Sequence, residues 1–97
     1  MLFAAIYRPR GTVTEESQKR GLQLFTSWKP PYDIKAHYAR GDGEGGIAII
    51  ETDDPADIIE GVAPWVPFLE FDVTPIVPIE QSVPVTQQAF AWRDSVR

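Results

Sequence analysis

Two segments of the chain are apolar at every position, Leu2 to Tyr7 and Ile47 to Ile50. A β-strand sends successive side chains to opposite faces. Leu2, Ala4 and Ile6 therefore point one way, and Phe3, Ala5 and Tyr7 the other. Ile47 and Ile49 oppose Ala48 and Ile50 in the same manner. A sheet with one wet face alternates apolar and polar residues. Strands that are apolar on both sides belong in the middle of a sheet covered front and back. Each Å² of apolar surface left in water forgoes about 25 cal/mol, so both covers have to exist.

The rest of the chain supplies one of them. Leu2 to Tyr7, bounded by Arg8-Pro9-Arg10-Gly11, reads as a first strand. Thr12 or Thr14 offers an N-cap to a first helix, and Thr12 with Glu15 fits a capping box. Gly21, Leu22, Leu24, Phe25 and Trp28 recur at helical spacing, so one stripe of this helix faces a core. Pro30-Pro31 stops it. Ile34 to Arg40 and Ile47 to Glu51 form a hairpin around the glycine-rich turn Gly41 to Gly46. Asp54 caps a second helix with Pro55 at its first position. Ile58, Ile59, Val62 and Ala63 give its apolar stripe, and Pro64 ends it. Leu69 to Ile79 is a fourth strand, placed at an edge by Pro75 and Pro78, which lack amide donors. Ser82 to Val96 is an appended helix with Val85, Ala89, Trp92 and Val96 on one face.

This order predicts an α+β, ferredoxin-like βαββαβ antiparallel sheet with an added C-terminal helix. Residues 1–80 make the domain, and residues 81–97 extend it as a helix. Both core helices fall on one face. A second copy is the simplest cover for the other, giving a homodimer of the dimeric α+β barrel kind. Strand two carries Lys35, His37 and Arg40, while strand four carries Glu70 and Asp72. Pairing between them across two copies sets register, since exposed ion pairs are worth only ~0–1 kcal/mol each.

Charge and composition close several routes. The net charge is −5, and residues 41–80 hold ten Asp and Glu with no Lys or Arg. Nucleic acid needs a basic face, so it is not an expected partner. Cysteine is absent, which excludes disulfides, thiolate nucleophiles and Cys-based metal sites. A lone histidine excludes His clusters, and no metal or cofactor is expected. No apolar run approaches the ~18 residues of a membrane span, and the start lacks the basic region of a signal peptide. The expected location is cytoplasmic.

Candidate chemistry is sparse. His37 is the natural acid/base group, with Glu70 and Asp72 on strand four as carboxylate partners; each also reads as an ordinary edge or contact residue. Phe3, Tyr7, Trp65, Phe68 and Phe71 form an aromatic group able to wall a pocket for a small apolar ligand inside the barrel, although aromatics also fill ordinary cores. Gly41 to Gly46 lacks the Lys-Ser/Thr of a phosphate loop. Asp53, Asp54 and Asp57 sit where a helix N-terminus wants acids, which explains them without a metal. No GxSxG or SxxK motif is present.

Met1-Leu2-Phe3, Ile50-Glu51-Thr52-Asp53-Asp54-Pro55 and Pro64-Trp65 leading to Phe71-Asp72-Val73-Thr74-Pro75-Ile76 together resemble the bacterial family of domain of unknown function 3303. The resemblance covers about residues 1–80. It implies the dimeric α+β barrel fold and supplies no mechanism. The Arg-Trp-His-like run often seen in that family's second strand meets Ala36-His37-Tyr38-Ala39 here; counted back from Gly46, His37 stands at the arginine and Ala39 at the histidine, while a gap in the turn restores the histidine match. Three functions follow as expectations. The first is a small dimeric protein that binds an apolar or aromatic ligand. The second is a cofactor-free enzyme similar to barrel monooxygenases or isomerases. The third is an interaction module that docks through its acidic segment and terminal helix.

Overall fold

The computed structural model describes residues 1–97. The elements run β1 (Leu2–Pro9), α1 (Glu15–Ser27), β2 (Asp33–Ala39), β3 (Gly46–Glu51), α2 (Pro55–Val62), a 3-10 turn (Ala63–Trp65), β4 (Leu69–Ile76) and α3 (Ile79–Ser95). All pairings are antiparallel, in the order β2-β3-β1-β4. This is the ferredoxin-like α+β fold. The two fully apolar strands are the central pair, and the proline-bearing β4 is an edge, as donor loss at Pro75 requires.

Local signals set the helix starts. The first cap is Thr14, not Thr12. The Thr14 hydroxyl accepts from the Ser17 N–H at 3.2 Å, and the Thr14 N–H donates to Ser17 Oγ at 2.8 Å. A serine three residues on thus completes the box expected of Thr12 and Glu15. At α2 the Asp54 carboxylate accepts from the Ala56 N–H at 3.0 Å, with Pro55 at the first helical position. Beneath it the buried Thr52 hydroxyl donates to Asp57 Oδ2 at 2.8 Å and accepts from the Asp54 N–H at 3.1 Å. Asp53 meets the N-terminal amine at 3.3 Å. The three acids therefore serve the helix start and the chain terminus.

Register decides which residues share a face. A β-bulge separates Ile34 from Ala36, so that Ile34 pairs with Ile50, Ala36 with Ile49 and His37 with Ala48. Simple alternation would group His37 with Lys35; the extra residue instead puts His37 and Ala39 on the side of Ile34. The bulged Lys35 has its own task. Asp33 and Glu51 lie directly opposite each other, an arrangement that repels. Lys35 Nζ stands 3.9 Å from one carboxylate and 3.7 Å from the other. Arg40 bonds Asp42, and Arg10 lies 4.0 Å from Glu70. Lys35 of β2 and Arg40 just beyond it thus each have a carboxylate partner within the chain.

One face of the sheet carries the core. Phe3, Ala5, Ala48 and Ile50 are buried there, with Tyr32, Ile58 and Val73 packed against them. Gly61 of α2 makes room for this packing, because a Cβ there would lie 2.3 Å from the Tyr32 ring. The opposite face presents the rows Ala36–Ile49–Ala4–Thr74 and Tyr38–Ile47–Ile6–Asp72. It is apolar over three strands and polar on β4. Its own terminal helix does not roof it. No residue of α3 is buried, and Ile6 stays 44% exposed. The molecule measures 60 × 26 × 21 Å, and the 17 residues of α3 account for about 25 Å of helix length. Val83, Val85, Phe90 and Trp92 lie open along it. No helix is long and apolar enough to cross a membrane.

Candidate functional site

The helix-covered face dips at its centre. One row across it is His37–Ala48–Ala5–Val73 and the next is Ala39–Gly46–Tyr7–Phe71. Ala48 and Ala5 in the middle of the first row, with Gly46 in the second, leave a hollow under α1 of about 390 Å³. That lies within the range of small-molecule sites, about 300–1,000 Å³. Gly21, Leu22 and Phe25 of α1 form the roof, and Trp28, Trp65 and Phe68 form a wall. The rings brace one another. Trp28 and Trp65 meet edge-on with centroids 5.4 Å apart, Phe25 and Trp65 at 6.1 Å, and Trp65 and Phe68 at 6.5 Å. Edge and tilted contacts of this kind are favourable for aromatic quadrupoles. The α1 side stays open, with Leu22 71% and Phe25 48% exposed. The buried indole N–H of Trp65 has no hydrogen-bond partner.

Ser17 and Gln18 of α1 also line the cavity, and one hydrogen-bonded pair of side chains stands on its floor strands. The Tyr7 hydroxyl and His37 Nε2 are 2.7 Å apart and hydrogen-bonded, with the rings at an edge-on angle. Gly46 permits this, because a Cβ there would stand 2.6 Å from the Tyr7 hydroxyl and 2.4 Å from the Tyr38 carbonyl. The Phe71 ring lies 6.0 Å from Tyr7, and Phe25 lies 6.2 Å from His37. Burial pushes the Tyr7 phenol up from its ordinary value, so it stays protonated.

Tyr32, which lines the other end of the cavity, is pushed by burial up to about 12. Its ordinary value is 10.0. Between those values the unfolded chain binds fewer protons than the folded one. The stability tied to this phenol is therefore complete below pH 10 and is lost as pH rises through about 12. Tyr32→Phe is expected to flatten the alkaline decline of the urea midpoint relative to the parent chain. Parallel curves above about pH 9 would contradict the burial argument.

The structure brings Tyr7, Trp65, Phe68 and Phe71 to this one cavity, while Phe3 lies beside it in the core. This cavity lies on the helix side of the sheet, within a single chain. Within that chain Glu70 and Asp72 project from the face opposite His37, beside Arg8 and Ile6, so the three do not meet there. Leu22, Phe25 and Trp28 were readable as a helical stripe, yet nothing in their spacing distinguishes the roof of a cavity from a filled core. No three His, Asp or Glu side chains converge to hold a metal ion.

A family described as domain of unknown function (DUF3303) matches residues 1–90. The chain belongs to the DUF3303 family. The match runs ten residues beyond the resemblance read from the sequence, so it takes in the first part of α3. No curated protein matches the chain. Two segments that carry the DUF3303 likeness have structural work here. Glu51 to Pro55 starts α2, and Phe71 to Ile76 alternates between the cavity and the open face. His37 of this DUF3303 member faces the cavity.

Proposed function

We propose that the protein binds a small apolar or aromatic molecule in the cavity under α1, and that it does so as a homodimer joined through the helix-free faces of its sheets. The aromatic cavity with one polar pair at its edge carries the first half of the reading. Surface area supports the second. The chain exposes 7314 Å², against about 5,600 Å² for a compact monomer of its mass. Its radius of gyration is 17.6 Å, against about 12–13 Å for a compact domain of this length. That excess includes the projecting α3, which buries no residue; the part a second copy would cover on the sheet is the apolar rows Ala36–Ile49–Ala4 and Tyr38–Ile47–Ile6. In that arrangement each copy keeps its own cavity, on the side away from its twin.

The tryptophans provide the test. In Trp92→Phe, the remaining indoles are Trp28 and Trp65, both on the cavity wall. Titration with azobenzene is expected to quench their emission saturably, with one equivalent bound per chain. Unchanged emission together with no calorimetric heat would overturn the binding reading. Sedimentation at micromolar concentration is expected to give twice the chain mass, and a single-chain mass would remove the dimer. The Tyr7–His37 hydrogen bond favours a second reading, a cofactor-free enzyme that uses this pair to handle protons. Turnover of a bound molecule separates it from plain binding.

A further inference from the structure

No Asp, Glu, Lys or Arg lines the cavity. A ligand of fixed charge would find no counter-charge there, and would lose its hydration on entry. The titratable groups on the lining are Tyr7, Tyr32 and His37. Of these side-chain types, only imidazole changes charge near neutral pH. His37 is faced by Tyr7 from β1, by Ala48 from β3 and by the Phe25 ring from α1. Its own side chain is exposed, so it joins the cavity to solvent.

We propose that the site takes a planar aromatic molecule bearing an acidic hydroxyl, a phenol or an enol, and that Tyr7 and His37 carry its proton outward. This rests on the binding reading above. With neutral His37 protonated on Nδ1, the Tyr7 hydroxyl donates to Nε2. The Tyr7 oxygen then has a lone pair left to accept from a ligand hydroxyl. In the transfer, the ligand O–H bond breaks as a new O–H bond forms on Tyr7. The original Tyr7 O–H bond breaks as an N–H bond forms on His37. The products are the ligand oxyanion, an unchanged neutral tyrosine and an imidazolium. No electrons leave or enter, so no oxidant or reductant is required. The raised affinity of Tyr7 for its proton suits a group that passes protons on and does not remain ionised.

The sign of one measurable shift isolates the relay. An apolar cavity alone disfavours a charged ligand and raises a phenol's ionisation midpoint. A relay to His37 lowers it, because the oxyanion gains a cation one residue away. The full chain is titrated with 4-hydroxyazobenzene, whose ionised form absorbs at longer wavelength, and with azobenzene as the hydroxyl-free control. Bound 4-hydroxyazobenzene is expected to ionise about one pH unit lower than the free dye, a tenfold change in its ionisation constant. His37→Gln and Tyr7→Phe, each titrated at a dye concentration that saturates it, are expected to abolish the downward shift. Far-ultraviolet circular dichroism and the thermal midpoint certify that the variants are folded. An unchanged or raised midpoint in the parent, or a lowered midpoint that survives in His37→Gln, overturns the relay and leaves the binding reading standing. Failure of both dyes to bind overturns the two together.

Discussion

Ile49→Lys is expected to leave the fold intact and to separate the proposed dimer. Ile49 sits at the centre of the helix-free face, between Ala36 and Ala4 in its row, with Ile47 next to it on the same strand face. In a single chain the lysine has water to reach and the four-stranded ladder is untouched. Between two sheets its ammonium would be desolvated among apolar neighbours, at a cost of several kcal/mol. That weakens association by roughly 10³-fold or more. Sedimentation should show a single-chain mass at concentrations where the parent is paired, with far-ultraviolet circular dichroism unchanged. A variant that keeps the parent's mass would show that the sheets do not meet through this face.

One residue further along, the outcome reverses. Ile50→Ala is expected to destabilise the fold itself by about 3 kcal/mol. Ile50 is 2% exposed and is the largest fully buried side chain in the molecule. It packs with Phe3, Ala5 and Ala48 on the helix side. Two of those three neighbours are alanines, which have no longer side chain to swing into the gap. Domains of this size are held by about 5–15 kcal/mol in all, and each kcal/mol moves the midpoint by about 4–8 °C. The melting temperature should therefore fall by more than about 10 °C. A fall of less than about 4 °C would mean that the centre of the sheet is not where the stability of the chain resides.

These neighbouring isoleucines also mark what could be read from residue order. Apolar character on both faces of β1 and β3 was sufficient to place them centrally and to expose the need for a second cover. Proline positions located the β4 edge, and Asp54-Pro55 marked the start of α2. What was hidden has physical causes. A bulge adds one residue without a side-chain signature, so the phase of β2 after Lys35 was unreadable. Its logic emerges only once Asp33 and Glu51 are known to face each other. That single step moved His37 from the face of the strand-four carboxylates to the cavity. The α1 stripe was legible as a stripe, but periodicity reports direction and not depth. Whether Leu22 and Phe25 close on the sheet depends on the size of Ala5, Ala48 and Gly46, which come from two other strands.

The floor of the cavity and the helix-free face are two sides of one layer of backbone. Ala48 looks into the hollow while Ile47 and Ile49, one peptide away on either side, look out of it. In the proposed dimer, occupancy on one side and self-association on the other are tied whenever a guest displaces the strand between them. The tie runs equally in both directions. With one cavity per copy, two guests that together tighten pairing tenfold are each held about threefold more firmly by the paired form, and a dilution series with and without the guest reads both numbers at once.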